Sequence, residues 1–178
     1  KVIDVLFPKY DYDDFCNGRV MVIASKNDSV DVLSSMIRNR LIPESKTSPQ
    51  TNKNKKFVFY ENDIVRCNEN IYADIELLRG TPGVVSTFSN RGSRDRIVYY
   101  DNGNSRLLQD HKVELNYATT CHKSQGSEAE HVVFVLEPQI CAPLHKRNLL
   151  YTAMTRAKKT LTIVGPMDVV QYMVSHDP

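Results

Sequence analysis

Hydrophobic residues near the start of the chain follow a strand pattern and then a helix pattern. Residues 20–24 form a continuous apolar run, VMVIA, typical of a strand buried on both faces of a parallel sheet. Beyond it, apolar residues recur every three or four positions, at Val30, Leu33, Ile37 and Leu41. That spacing predicts a helix with one apolar face. Strand and helix together predict half of a βαβ unit.

The pattern changes twice further along. Residues 43–56 are rich in Ser, Thr, Pro, Asn and Lys, which predicts a basic connector that buries little apolar area. Between Phe57 and Lys112, short β-rich runs alternate with Gly, Asn and Asp, which predicts a small all-β module. The α/β pattern then resumes, with strands expected near 117–119, 132–136 and 160–164 and helices near 147–158 and 169–174. We therefore predict an α/β domain interrupted by an all-β insertion.

Composition narrows the class of protein. The chain has 178 residues, of which 41% are hydrophobic and 25% charged, and this suits one globular domain with a small insertion. Its longest apolar runs have strand length, so we expect no membrane association. Four widely spaced cysteines without a C-x-x-C pair indicate reduced thiols in an intracellular protein. The start lacks both Met and a signal-peptide pattern, so we expect a piece of a longer chain, in nucleus or cytoplasm.

Charge is informative only where it is concentrated. The net charge of +2 neither indicates nor excludes a nucleic acid partner. A basic group lies near the helix predicted at 147–158, at Lys146, Arg147, Arg156, Lys158 and Lys159. It is either a solvated face or a track for phosphates. The same two alternatives hold for Arg91, Arg94 and Arg96 in the all-β module.

Residues 119–128, TTCHKSQGSE, form a polar segment between two apolar strands. In open α/β sheets, ligands bind beyond the carboxyl ends of the strands, where hydroxyls and backbone amides can hold phosphate. Alternatively, the segment is a capped helix start or a polar loop that binds nothing. Both interpretations stay open on the residues alone.

Arg156 lies near the end of the predicted helix 147–158, whose other side carries apolar residues. An arginine there can cap the last carbonyl groups of the helix or pair with a carboxylate. Alternatively, it projects into a cleft as an arginine finger, which stabilises charge on a transferring γ-phosphoryl group.

Taken together, the two segments resemble a known family. Residues 117–128, YATTCHKSQGSE, and 150–158, LYTAMTRAK, resemble motifs V and VI of superfamily 1 helicases, closest to the RecD-like (superfamily 1B) branch. Residues 22–31 are similar to the segment that opens the second RecA-like domain of this group. Residues 61–68 and 79–85 resemble its SH3-like insertion, although Arg79 stands where an Asn is usual.

The resemblance implies a domain organisation. Residues 1–17 would be a lead-in segment, and residues 18–56 and 113–178 would form RecA-like domain 2, a parallel sheet flanked by helices. Residues 57–112 would form the SH3-like insertion.

The resemblance also implies roles for individual residues. Arg156 would be the catalytic arginine at the γ-phosphate, and Gln125, Gly126 and Glu128 would join it in ATP binding. A second set would face single-stranded nucleic acid: Ser25, Asn27, Thr119, Thr120, His122 and Lys123. Contacts of this kind hold the phosphate backbone without reading sequence, as a translocating motor requires.

Half of an ATP site is missing from the sequence. It contains no G-x-x-x-x-G-K-[ST] run and no strand ending in an acidic pair. The resemblance therefore implies that ATP and Mg²⁺ are bound chiefly by an N-terminal RecA-like domain of the same polypeptide. It implies a C-terminal motor domain of an ATP-dependent DNA helicase, moving 5′→3′ on single-stranded DNA and inactive alone. An RNA helicase domain of viral type, or an inert nucleic-acid- or protein-binding module, is the alternative.

A zinc site is the remaining possibility that the residue types raise. Its ligands would be Cys121, His122, Cys141 and His145. Adjacent Cys and His residues have poor geometry for one tetrahedral ion, so we expect no metal bound by this chain.

Overall fold

A computed structural model describes residues 2–42, 50–51, 58–72, 76–90, 93–139 and 145–176, with only the backbone at 88–90 and 93–95. The helices are α1 (Val2–Leu6), α2 (Tyr12–Cys16), α3 (Asn27–Leu41), α4 (Arg147–Met154) and α5 (Met167–Ser175). The strands are β1 (Val20–Ala24), β2 (Gln50–Thr51), β3 (Val58–Phe59), β4 (Ile64–Cys67), β5 (Pro82–Asn90), β6 (Ser93–Tyr100), β7 (Ser105–Leu107), β8 (Val113–Leu115), β9 (Thr119–Thr120), β10 (Ala129–Val135) and β11 (Ala157–Val164). The chain divides into two compact units, Lys1–Ile37 with Tyr117–Pro178, and Arg38–Asn116.

The first unit is built on a four-stranded parallel sheet in the order β11-β10-β1-β9. Strands β1 and β10 lie in its centre, which explains why residues 20–24 and 132–134 are apolar without alternation. One face of the sheet packs on α4 and α5 through a core of buried side chains that includes Ile23, Phe134 and Met173. The prediction of an α/β fold with a RecA-like parallel sheet is confirmed.

Helix α3 follows β1 directly, as the apolar spacing predicts. Val30, Leu33 and Ile37 are buried along one side, while Val32 and Met36 on another side are exposed. The helix therefore buries one stripe and leaves the rest in solvent.

The lead-in segment folds as part of the first unit. Asp11 caps α2 by accepting from the backbone N–H of Asp14, whose side chain accepts in return from Asp11 N–H, a capping box. Leu6 and Phe15 are buried. The acidic start of the chain thus contributes to helix capping.

The second unit contains a five-stranded antiparallel sheet in the order β7-β6-β5-β4-β8 and the short pair β2-β3. A turn at Asp101–Gly103 joins β6 and β7, with Gly103 at φ +84°. Phe59, Val65, Leu77, Val85 and Val98 are fully buried. The mixed architecture is therefore as predicted, whereas an SH3-like barrel and the boundaries at 57–112 stay predictions.

One helix boundary was predicted wrongly. Helix α4 ends at Met154, and β11 begins at Ala157, so residues 157–158 lie in a strand where the sequence predicts helix. Ala157 pairs with Ala129 of β10, and the Ala129 N–H donates to the carbonyl of Arg156 at 3.0 Å. Most of the predicted connector 43–56 lies outside the described residues. Of the helices that the structure describes, none is long and apolar enough to cross a bilayer.

Candidate functional site: a polar cleft and Arg156

Strands β1 and β9 bring two polar loops together. They run parallel, and Ala24 pairs with Thr120, so both strands end at the same level of the sheet. The segments that follow, 25–28 and 121–127, therefore leave the carboxyl edge side by side. This is the position at which open α/β sheets bind ligands.

The two segments enclose an open cleft of about 560 Å³, which we call the carboxyl-edge cleft. Its lining consists of Ser25, Lys26, Asn27, Asp28, Thr120, His122 and Lys123. Five of the six residues predicted to face nucleic acid thus meet in one place. The sixth, Thr119, is buried within β9 and does not line the cleft.

Local hydrogen bonds hold the loop after β9 in a compact turn. The Ser124 N–H donates to the carbonyl of Thr120 at 3.0 Å, and the Lys123 N–H to the Thr120 hydroxyl oxygen at 3.3 Å. The Ser124 hydroxyl donates to the Cys121 carbonyl at 2.8 Å. His122 and Lys123 are left exposed on the turn, where their side chains are accessible to a ligand.

The charges of the carboxyl-edge cleft suit a phosphate chain. Lys26 and Lys123 contribute two positive charges, and Asp28 one negative charge. The cleft also includes the beginning of α3, where backbone N–H groups and the helix dipole favour anions. Lysines and amides of this kind contact phosphate without sequence preference.

A carboxylate underlies one wall of the cleft. Glu137, just after β10, accepts hydrogen bonds from the Ser29 hydroxyl at 2.7 Å and from the Ser25 hydroxyl. His145 is fully buried, and its Nε2 lies 3.2 Å from Glu137 Oε2 and 3.4 Å from Ser25 Oγ. Burial acts to raise the pKa of Glu137, but the hydrogen bonds from Ser25, Ser29 and His145 outweigh it, and the pKa is lowered. Glu137 is therefore an anion at neutral pH.

Arg156 is held at the junction of α4 and β11. Its Nε donates to the Thr152 carbonyl at 3.3 Å, one Nη to the Ser127 carbonyl at 3.2 Å, and the other Nη to the Thr155 hydroxyl at 3.1 Å. The bond to Thr152 is the helix-capping role considered from the sequence. The bond to Ser127 is not part of helix capping, because it attaches the guanidinium to the loop after β9.

The other residues predicted to bind ATP lie on the same loop. Gly126 adopts φ +86°, a conformation that side chains disfavour, and a Cβ there would meet nothing within 4 Å. The backbone conformation at position 126 therefore favours glycine, and the space beside this residue is open. Glu128 forms an exposed ion pair with Lys158 at 3.3 Å. Gln125 is exposed, and it lies in the chain between Lys123, which lines the cleft, and Ser127, which accepts from Arg156.

Cys121 is buried beneath this loop, with its thiol 3.9 Å from the Leu149 carbonyl. Burial raises the pKa of the thiol to about 12, and the positive charge of Arg156 opposes this only in part. A thiol in that state is protonated at neutral pH and is a poor nucleophile.

The remaining candidates lie elsewhere or outside the described residues. Arg96 is buried and its guanidinium donates to the Thr87 hydroxyl, so it is not exposed for contact with a nucleic acid. Arg91, the side chain of Arg94, and Cys141 fall outside the described residues. Within the ranges that the structure covers, no three His, Cys, Asp or Glu side chains are grouped as metal ligands would be.

Sequence reasoning missed Lys26, Glu137 and the supporting role of His145. Lys26 had a signal, since a lysine between a buried strand and a helix start is placed to meet phosphate. Glu137 and His145 had none, because only the fold brings the end of β10 and the start of α4 beneath Ser25.

Known proteins resemble parts of this chain. Residues 115–164, from the end of β8 to the end of β11, match the family described as UvrD-like helicase C-terminal domain. The RecBCD enzyme subunit RecD of Mycobacterium tuberculosis strain H37Rv is 53% identical over 53 residues, which is 30% of this chain and 9% of that protein. RecD of Mycolicibacterium smegmatis is 40% identical over 91 residues, 51% of this chain and 16% of that protein. The chain thus spans a small part of the curated relatives it matches.

Solved structures share the fold. A Bacteroides Pif1 helicase, solved with ADP-AlF3 and ssDNA, superposes with a TM-score of 0.58 at 12% identity and covers 90% of this chain and 48% of that one. Pif1 from Candida albicans gives a TM-score of 0.56 at 16% identity, over 90% of this chain and 52% of the other.

Proposed function

We propose that this chain, for which the comparisons support a superfamily 1B, RecD-like helicase C-terminal domain, is the second motor domain of an ATP-dependent DNA helicase. In this role the carboxyl-edge cleft binds single-stranded DNA. Arg156 contributes to an ATP site whose other residues belong to a P-loop domain. Movement 5′→3′ along the strand is part of the proposal, supported by the resemblance to the RecD-like branch.

One observation carries the proposal: a single segment both lines the carboxyl-edge cleft and is hydrogen-bonded to Arg156. Thr120, His122 and Lys123 line the carboxyl-edge cleft, and Ser127, four residues further, accepts from Arg156. A ligand that moves this loop at one end therefore changes the position of the arginine at the other. Coupling between nucleotide and strand is what a translocating motor needs.

Arg156 suits the terminal phosphate of ATP. A guanidinium carries five N–H donors, and the bonds to Thr152, Ser127 and Thr155 use three of them. Arg156 therefore retains donors for phosphate oxygens, in the planar arrangement that fits them. Bound ATP supplies the phosphoryl group that is transferred to water. Gln125, Gly126 and Glu128 would meet the nucleotide on the open side of the same loop.

The carboxyl-edge cleft suits an extended phosphate backbone. Lys26 and Lys123 supply charge, Asn27 and His122 supply polar side chains, and the beginning of α3 supplies backbone amides. Contacts from such groups to the phosphate backbone carry no sequence information, which fits a motor that moves over any sequence. A Pif1 helicase with the same fold was solved with a single strand and a nucleotide analogue, and this adds support.

Binding of a fluorescent oligothymidylate to the whole chain, followed by anisotropy, tests the strand half of the proposal. We expect saturable binding that weakens with salt, and competition by unlabelled single strands in preference to duplex. An RNA strand of the same length as competitor separates a DNA motor from an RNA motor. Absence of single-strand binding would overturn the proposed function.

ATP hydrolysis tests the nucleotide half of the proposal. We expect no ATP hydrolysis by the chain alone, and DNA-stimulated hydrolysis by the helicase that combines it with a P-loop domain. Unwinding of forks with either a 5′ or a 3′ loading tail then gives the polarity. If the chain is an inert binding module, it binds the single strand, but substitution of Arg156 does not change the rate of ATP hydrolysis by that helicase.

A further inference from the structure

A carboxylate beneath the carboxyl-edge cleft connects three segments of the chain. Glu137 follows β10, and its two oxygens accept from Ser29, in the first turn of α3, and from Ser25, at the end of β1. His145, two residues before α4, lies against the same carboxylate at 3.2 Å. One side chain thus fixes the stretch from residue 25 to residue 29, which includes Lys26 and Asn27 of the cleft.

The hydrogen bonds to Glu137 decide what Ser25 can do. A hydroxyl has one proton to donate, and Ser25 donates it to the carboxylate, as Ser29 does. Ser25 is also nearly buried, with 8% of its surface exposed. It therefore cannot donate to a phosphate while this bond exists, and its contribution to the cleft is made through the shape of the backbone.

We propose that Glu137 is a positioning residue for the single strand: it holds Ser25 and Ser29 so that Lys26, Asn27 and the start of α3 face the carboxyl-edge cleft. The inference rests on the proposed strand-binding function of that cleft. Glu137 is not among the residues that line it. A segment ordered in advance loses less conformational entropy when a ligand binds, so loss of this order weakens binding.

Charge and positioning predict opposite signs for one substitution. Glu137→Gln removes a negative charge near a site for phosphates, and electrostatics alone would make strand binding tighter. The two serines donate to different oxygens of Glu137, and the amide replaces one of these oxygens with an NH2 donor, so it can no longer receive both serine protons in this arrangement. We expect Glu137→Gln to weaken binding of a labelled oligothymidylate by the whole chain about tenfold, since hydrogen bonds to charged groups contribute at that level.

Glu130→Gln is the matched control. Glu130 lies on β10, the strand that Glu137 follows, and its carboxylate forms an exposed ion pair with Lys159 at 2.8 Å; neither residue lines the cleft. The substitution changes the net charge by the same amount. We expect affinity within about twofold of the wild-type value, because exposed ion pairs contribute little.

Two further measurements separate positioning from general loss of structure. In a Ser25→Ala/Ser29→Ala background, Glu137→Gln should have no additional effect on affinity, because the groups through which it acts are gone. Amide exchange at Val30, whose N–H donates to the Lys26 carbonyl at 3.2 Å as the first bond of α3, should be faster in Glu137→Gln without DNA. Circular dichroism should stay unchanged.

The outcomes are distinct. Wild-type affinity or tighter binding in Glu137→Gln, with Val30 exchange unchanged, would overturn the inference and leave the proposed function standing. An additive effect in the double-serine background would also overturn it. A wild-type chain that does not bind single strands would overturn the proposed function and this inference together.

Discussion

The guanidinium of Arg156 donates to the main-chain carbonyl of Ser127 at 3.2 Å, across 29 residues of sequence. This bond joins the end of α4 to the loop whose other end lines the carboxyl-edge cleft. It connects the proposed nucleotide contact Arg156 to the loop that carries the proposed strand contacts.

Salt dependence tests the lysines of the cleft. We expect Lys123→Ala and Lys26→Ala each to weaken single-strand binding and to lower the slope of log affinity against log salt by about 0.7, the counterion release for one contact to a single strand. Anisotropy titrations from low to moderate salt measure the slope. Lys9→Ala, an exposed lysine between α1 and α2, is the control and should keep the wild-type slope. An unchanged slope in both cleft variants would remove the lysines from the phosphate contacts.

Gly126 tests the shape of the shared loop. At φ +86°, Gly126→Ala costs about 1–2 kcal/mol of backbone strain, although its Cβ would have space. We expect the loop to shift and DNA-stimulated ATP hydrolysis to fall more than single-strand affinity. Gly126→Asn should retain more activity, because Asn tolerates positive φ better than Ala. Equal activity of Gly126→Ala and wild type would show that this conformation is not required.

The buried thiol of Cys121 makes a prediction about alkaline pH. Its pKa is raised to about 12 in the folded chain, above that of an unfolded thiol. Below the unfolded pKa both states hold the proton, so the contribution to stability is complete. As pH rises from about 9 towards 12, only the unfolded state ionises, and stability falls by up to about 1.4 kcal/mol per pH unit.

Urea unfolding of wild type and Cys121→Ala between pH 8 and 10.5 measures this contribution. We expect the variant to lose less stability over that interval, and the native thiol to resist alkylation at pH 8 while the half-buried Cys16 reacts. Parallel pH profiles for the two proteins, or rapid alkylation of Cys121, would contradict the assigned burial.

Much of this arrangement was visible in the sequence, and the exceptions have physical causes. The apolar run 20–24 and the spacing after it predict β1 and α3 because a buried strand and an amphipathic helix have different periods. The polar segment 119–128 predicts a site because it follows a strand in an α/β sheet. Both are local properties of the chain.

The end of α4 shows where local patterns fail. Ala157 continues the apolar spacing of the helix, but it pairs with Ala129 of β10, and the Arg156 side chain takes up the Thr152 carbonyl where the helix stops. Partners distant in sequence decide that boundary. Glu137 and His145 were missed for the same reason, since nothing near them in the chain indicates that Ser25 is their neighbour.

The most direct test of the coupling is the effect of Arg156 on both ligands at once. In the helicase that carries this domain, we expect Arg156→Ala to lower DNA-stimulated ATP hydrolysis about 10³-fold, as loss of an arginine finger does. Single-strand affinity without nucleotide should stay within about threefold of wild type, well under 1.4 kcal/mol. Arg19→Ala, an exposed arginine paired with Asp14, is the control for lost charge and should change neither quantity.

The decisive quantity is the ratio of single-strand affinities with and without a non-hydrolysable ATP analogue. For wild type we expect a ratio that differs clearly from one, and for Arg156→Ala a ratio close to one with an unchanged circular dichroism spectrum. A variant that keeps both the wild-type ratio and the wild-type turnover would contradict the account, and would leave Arg156 as a cap on α4 alone.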